Sequence, residues 1–173
     1  LVSKVASQSV KAVMSGEGSD EFLVGYQWQK EYQPQLQSWL QRIQQLFKSS
    51  KTKPYLLQYY AQWMAMGRFE QTELQTMLHP SMHEHINPDP EWFYQQLYKP
   101  DLPDLKAMQI LDVKHFMGEQ VLAKIERASM ANSLEVRVPF LDHEICEFVF
   151  QLDPSVYYRP DETKHLLYQN IKN

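Results

Sequence analysis

Residues 11–21, Lys-Ala-Val-Met-Ser-Gly-Glu-Gly-Ser-Asp-Glu, carry a short apolar run into two glycines and then into polar and acidic residues. The run Lys11–Met14, closed by glycine, reads as a short buried strand. Glycine lets a backbone approach a ligand closely, and a loop opening onto a helix turns unpaired N–H groups toward an anion. A phosphate in a loop that itself holds no lysine takes its counter-charge from a metal ion. Glu17, Asp20 and Glu21 are hard oxygen donors of the kind Mg²⁺ accepts, directly or through water. A tight turn capped by Asp20 fits the same residues, since short Gly-x-Gly loops also serve as turns.

One strand is not a sheet, so this reading expects its partners upstream in a longer parent or in another chain. The residues before it agree with an internal piece. The chain opens on Leu1, and LVSKVASQSVKAVM lacks the charged start and long apolar stretch of a signal peptide. Val2, Val5 and Ala6 suit a short amphipathic helix.

Downstream the spacing becomes helical. Leu36, Leu40, Ile43 and Phe47 recur every three or four residues, and a second helix spans about Pro54 to Met66, punctuated by Gly67. Its aromatics Tyr55, Tyr59, Tyr60 and Trp63 read as core packing. Further helices are expected over Thr72–Leu78, from about Pro90 through Tyr98, and over Pro103–Ala131 as one long helix or two abutting ones. The alternation of Val136, Val138 and Phe140 with Arg137 and Pro139 marks an extended stretch. Asp142 then caps a helix bearing Ile145, Phe148 and Val149, and Asp161–Ile171 forms a last amphipathic helix with Lys164 in its first turn. The expectation is one mainly α unit of roughly six to eight helices with one short N-terminal strand.

Composition bounds the function. The 173 residues are 43% hydrophobic and 22% charged, as in globular proteins. With 17 Lys+Arg against 21 Asp+Glu, the net charge of -4 gives no long-range attraction for nucleic acid or an anionic membrane surface. The single cysteine excludes an intrachain disulfide framework and a Cys-based zinc site, which fits a cytoplasmic protein. Cys146 itself, on the predicted helix with Ile145, Phe148 and Val149, reads as a small buried hydrophobe. His79, His83 and His85 fit either a transition-metal cluster or a solvated loop.

Two segments carry a resemblance. SGEGSDE at residues 15–21, followed by the VGY of Val24–Tyr26, resembles the second nucleotide-site motif of the glutamine-hydrolysing asparagine synthetases. ERASMANSLEVRVPFLDHEI at residues 126–145 resembles that family's downstream signature. The resemblance spans nearly the whole chain. It implies the helical C-terminal portion of an α/β synthetase domain of the adenine-nucleotide-hydrolase-like, PP-loop ATP pyrophosphatase kind. It implies an ATP- and Mg²⁺-dependent ligase that adenylates aspartate and lets glutamine-derived ammonia displace AMP, with a homodimer open for the full-length protein.

By position, Ser15, Gly16 and Gly18 match the loop that contacts the nucleotide through its backbone. Glu17 matches the acid needed to form the adenylate, Asp20 and Glu21 match acids near the magnesium pyrophosphate, and Lys164 matches a lysine on that pyrophosphate. The family's glutaminase domain and SGGxDS loop do not occur in these residues, so the resemblance implies a fragment inactive alone. Arg137 and Asp142 fit architectural pairing with Glu135, Glu126 or each other, while Arg127 and Ser129 fit a passage toward the site. Glu126, Phe22-Leu23-Val24 and Tyr168 stand where the family more usually has Asp, Leu-Phe-Gly and Arg. Those departures leave open amidation of another carboxylate, such as a polysaccharide precursor, and a helical docking module without chemistry.

Overall fold

The computed structural model describes residues 1–32, 54–64, 69, 71–87, 89, 91–159 and 161–171. The helix expected over Leu36–Phe47 and the stop at Gly67 lie outside them. Where the sequence suggests one unit, the chain divides into two compact units, Leu1–Lys30 with Asp101–Asn173, and Glu31–Pro100. The second unit interrupts the first without a Gly- or Ser-rich linker at either crossing, so composition gives no sign of it.

Unit Glu31–Pro100 contains three described helices, here α4 (Tyr55–Trp63), α5 (Gln71–Met77) and α6 (Trp92–Leu97). α4 buries Leu56, Leu57, Tyr60 and Ala61, one stripe at helical spacing, and Tyr60 meets Tyr94 of α6 edge-to-face at 5.5 Å. The His- and Pro-containing segment is not an open loop. Residues Pro80–His85 form a 3₁₀ turn opened by His79, whose Nδ1 accepts from Ser81 N. His83 Nε2 lies 3.2 Å from Leu78 O, and His85 lies beside Glu84.

The other unit holds the glycine loop. It begins with α1 (Val2–Ala6), β1 (Ala12–Met14), α2 (Ser19–Phe22) and α3 (Gln27–Glu31). It resumes with α7 (Asp104–Leu111), a π-helical stretch (Asp112–Leu122) and α8 (Ala123–Met130), continuous as the apolar spacing suggests. After these come β2 (Glu135–Arg137), a 3₁₀ turn (Pro139–Leu141), α9 (His143–Gln151), α10 (Pro154–Tyr157) and α11 (His165–Ile171).

β1 finds a partner inside the chain, which corrects the expectation that its neighbours lie elsewhere. It pairs in parallel with β2, Val13 opposite Val136, with Glu135 N donating to Lys11 O at 2.9 Å and Ser15 N to Arg137 O at 2.8 Å. Pro139 has no N–H to extend the ladder, so β2 is short. Asp142 caps α9 as expected, accepting from Glu144 N at 2.9 Å.

The core gathers Phe22, Leu23, Val24, Val149 and Tyr157, with the rings of Phe22 and Phe150 edge-to-face at 5.4 Å. Gln109, buried on α7, donates from Nε2 to Phe22 O at 2.7 Å and accepts from Tyr157 OH at 3.0 Å. It thereby satisfies a carbonyl at the end of α2 that no helical partner reaches. The turn after α2 closes with Gly25 N donating to Asp20 O at 2.9 Å, the long-range bond of a Schellman cap.

The left-handed residue of that cap is Val24, with φ 55 and 1% exposure. A β-branched residue in this conformation costs on the order of 1–2 kcal/mol, offset by burying its side chain, worth about 1.5–3 kcal/mol. The two effects nearly cancel in Val24→Gly, which relieves the strain and loses the packing. Urea unfolding should place it within about 1 kcal/mol of wild type. Val149→Ala, buried in the same core without strain, should cost clearly more; equal losses in both variants would show that Val24 is unstrained.

Candidate functional site

The loop leaves β1 at Ser15 and reaches α2 through Gly18, whose φ of 94 favours glycine. A Cβ there would also lie 2.6 Å from Leu141 Cδ2, so the segment after β2 packs against the loop. Gly16 is different: nothing lies within 4 Å of where its Cβ would be, and its backbone faces open space. Ser19 Oγ donates to Gly16 O at 2.9 Å, which ties the loop to the first residue of α2.

Lys164 reaches this loop from the far end of the sequence. Its Nζ donates to Ser19 Oγ at 2.9 Å and lies 2.9 Å from Asp20 Oδ1, with side-chain exposures of 21% for the lysine and 35% for the aspartate. The backbone around it is specialised. Lys164 is not in the first turn of a helix: it precedes α11 with φ 51, and its carbonyl accepts from Leu167 N and Tyr168 N. Asp161 and Glu162 likewise belong to the turn before the helix, where Arg159 and Glu162 form an antiparallel bridge. Lys30 Nζ donates to Thr163 Oγ1, and His165 Nδ1 contacts Glu162 Oε2, so both neighbours of Lys164 are held. A non-glycine residue in left-handed backbone is kept by its surroundings and clusters at functional sites.

The acids of the motif separate. Glu17 is half-buried and makes no hydrogen bond among the described residues, which leaves its carboxylate available. Asp20 is engaged with Lys164. Glu21 does not join them: it is 1% exposed and accepts from Tyr26 OH at 2.5 Å, turned toward the interior. Tyr26 stacks on Trp28 at 4.1 Å, and Phe116 meets both rings edge-on. Beneath this cluster lies fully buried Asp112, to which Gln29 Nε2 donates at 2.7 Å and Trp28 Nε1 at 3.1 Å. Composition and motif did not reveal Asp112; its signal was an acid within an otherwise apolar helical stripe.

Burial pushes the Glu21 carboxyl above its ordinary value, opposed by the Tyr26 hydrogen bond and by backbone bonding, with Asp20 and Glu17 adding to the rise. The Tyr26 hydroxyl is also pushed up, by burial first and then by Glu21.

Alongside β1 and the segment that follows β2 lies an open cleft of about 640 Å³, lined by Ala12, Val13, Met14, Arg137, Val138, Pro139, Leu141 and Asp142, and neither loop residues 15–18 nor Lys164 lines it. Arg137, at its edge, pairs with Glu135 at 2.7 Å on the surface, an architectural contact as one of its readings expected. Cys146 packs against the core, and burial raises its thiol. Among the described residues no cluster of three or more His, Cys, Asp or Glu is arranged to hold a metal ion, and no helix is long and apolar enough to cross a membrane.

The chain matches the family model described as asparagine synthase over residues 1–172, and it belongs to that family. It is 28% identical to asparagine synthetase [glutamine-hydrolyzing] 1 of Bacillus subtilis (strain 168), covering 96% of this chain and 29% of that protein. A putative asparagine synthetase [glutamine-hydrolyzing] of Mycobacterium tuberculosis (strain ATCC 25618 / H37Rv) is 26% identical, covering 96% of this chain and 28% of that protein. Amidase chyE of Penicillium rubens (strain ATCC 28089 / DSM 1075 / NRRL 1951 / Wisconsin 54-1255) is 26% identical, covering 99% of this chain and 31% of that protein. The chain thus spans less than a third of the length of these relatives. No solved structure is a significant match.

The buried carboxyl has a measurable consequence. An acid whose pKa is raised by folding is harder to ionise in the folded state. Its contribution to stability is therefore complete below its unfolded value, about 4.5, and is lost as pH rises through its folded value. Glu21→Gln keeps an acceptor for Tyr26 and removes the titration. Thermal melts from about pH 4.5 upward should show the gap between variant and wild type moving in the variant's favour as pH rises. A gap independent of pH would mean that Glu21 does not titrate in this range.

Proposed function

We propose that this chain is the helical C-terminal portion of a PP-loop-type synthetase domain in an ATP-dependent, glutamine-using amide ligase. In the complete protein, a carboxylate oxygen of aspartate bonds to the α-phosphorus of ATP, and the α–β phosphate bond breaks to release pyrophosphate. Ammonia from glutamine then attacks the acyl carbon and loses a proton, and AMP leaves with the electron pair of the broken bond. Membership of the asparagine synthase family supports the reaction class, and the names of the bacterial relatives support aspartate as the acceptor.

The observation that carries the reading is the Lys164 ammonium, brought against the glycine loop with both neighbours in the chain pinned. A cation fixed before the substrate arrives stabilises charge building on a leaving pyrophosphate without reorganising at the moment of reaction. The loop residues fit a phosphate ligand. Ser15, Gly16 and Gly18 supply backbone, Gly16 has room for close approach, and Glu17 keeps a carboxylate unengaged by the described residues.

Magnesium fits only in part-ownership with the substrate. Glu17 and Asp20 would hold it together with the phosphates of the nucleotide, since no cluster of three or more His, Cys, Asp or Glu is present among the described residues. Such an ion supplies charge neutralisation at the phosphates. Glu21 supports the loop from inside through Tyr26. The remainder of the nucleotide site belongs to sequence outside this chain, and the chain alone is inactive. A related ligase acting on a different carboxylate is the second reading, favoured by the relative that carries the name amidase.

ATP–pyrophosphate exchange in the complete gene product is the test. Lys164→Ala should lower the rate by about 100-fold with a smaller change in the Michaelis constant for ATP, the scale of a lost electrostatic contact. Lys164→Arg should restore part of it, because a planar guanidinium does not reproduce a compact ammonium. Exchange near wild type in Lys164→Ala would remove the lysine from the site. Aspartate-dependent exchange by residues 1–173 alone would remove the need for a second half.

A further inference from the structure

Asp20 holds Lys164 only because the space beside its carboxylate is empty, and that space is Gly25's. A Cβ on Gly25 would lie 1.7 Å from Asp20 Oδ1, 2.6 Å from Asp20 Cγ and 2.8 Å from Asp20 Cα. Oδ1 is the very oxygen that lies 2.9 Å from Lys164 Nζ. Backbone freedom is not what calls for glycine here. The left-handed residue of this turn is Val24, and among the described glycines only Gly18 has a positive φ. Nor can Gly25 retreat, because its N–H is bonded to Asp20 O at 2.9 Å and closes the end of α2.

We propose that Gly25 is a positioning residue: its missing side chain reserves the seat from which the Asp20 carboxylate orients the Lys164 ammonium. The functional part rests on the reading of Lys164 given under Proposed function. In an ordinary Schellman cap the residue after the left-handed position packs an apolar side chain back on the helix. Here that position is vacated, and the carboxylate of the third-from-last helical residue takes the space. Any side chain at Gly25 turns Asp20 out of this rotamer. The turn that carries Lys164 is tied through Thr163 to Lys30, so with Asp20 turned away the ammonium keeps the Ser19 hydroxyl and loses the carboxylate that orients it.

Two measurements test this with the variants Gly25→Ala, Asp20→Ala and the pair together. The first uses this chain and needs no activity: acetylation by acetic anhydride, with Lys164 followed by peptide mass spectrometry against the exposed lysines. Losing the carboxylate frees the amine, so Gly25→Ala and Asp20→Ala should each raise labelling of Lys164 several-fold, and the double variant should label no faster than Asp20→Ala. The second uses the complete gene product. Gly25→Ala should lower kcat for ATP–pyrophosphate exchange by about 10- to 100-fold, more than it changes the Michaelis constant for ATP, as misplacement of a charged group by an ångström does.

Contact with the Asp20 Cα is common to every Gly25→Ala variant, so some loss of thermal stability is expected whichever role the glycine has. Coupling isolates the carboxylate: the melting loss from Gly25→Ala should be smaller in the Asp20→Ala background than in wild type. Unchanged labelling of Lys164 in Gly25→Ala, or equal melting losses in the two backgrounds, overturns the assignment. If the labelling responds while Lys164→Ala leaves exchange intact, the positioning stands and the ligase reading of Lys164 falls.

Discussion

Every backbone group between Ser19 and Tyr26 that leaves water has to find a partner, and that constraint sets the direction of α2. Leu23 N donates to Ser19 O, Gly25 N to Asp20 O, and Tyr26 N to Gln29 Oε1 at 3.2 Å. The carbonyl of Phe22 is met by Gln109, and Gln29 Nε2 approaches Glu21 O at 3.4 Å. Each such group left bare inside the core would cost about 1–3 kcal/mol, comparable to a large part of a domain's net stability. A single helical turn pinned at this many points cannot rotate. The face that carries Asp20 is therefore fixed toward Lys164, and the face that carries Glu21 is fixed toward Tyr26.

Adjacent acids consequently play opposite parts. Successive residues of a helix point about 100° apart, so Asp20 and Glu21 cannot both face the loop once α2 is anchored. Asp20 remains partly in water with the Lys164 ammonium opposite it. Glu21 lies among rings, where burial disfavours charge and one hydroxyl provides a hydrogen bond. An acidic motif in the sequence states which chemistry is present. Which way each acid points is a property of the turn that follows it.

That distinction explains what was legible in the sequence. The helical spacing of Leu105, Met108, Leu111, Met117 and Val121 comes from one buried stripe, and it foretold the run through α7 to α8. Asp142 showed itself as a cap because the bond it makes is two residues away. The alternation at Val136 and Val138 marks β2 as extended but not as the partner of β1, since pairing between distant segments leaves no local pattern. Polar residues continue the helical spacing past the true start of α11, so spacing alone puts Lys164 inside the helix. The left-handed backbone at Lys164, which a sequence does not display, separates the turn from α11. The resemblance puts Lys164 and Asp20 at one pyrophosphate, whereas the hydrogen bond from Lys164 to Ser19 follows from neither the resemblance nor any local rule of spacing.

The two residues after α2 divide a task that one glycine performs in many helix ends. A left-handed cap ordinarily asks for glycine at the strained position and an apolar side chain after it. Here the core receives a valine at the strained position, buried against Phe22, Leu23, Val149 and Tyr157, while the glycine stands one place later. Steric strain at Val24 can be offset by packing, because both act on the same side chain and both are of the order of 1–3 kcal/mol. The overlap at Gly25 has no such remedy. A methyl group 1.7 Å from a carboxylate oxygen cannot be accommodated by better packing elsewhere, and relief requires the acid itself to move. The Val24 position can thus exchange glycine for a packed side chain while the geometry at Lys164 is kept. The Gly25 position cannot, because the space it leaves is already filled by the group that orients the lysine.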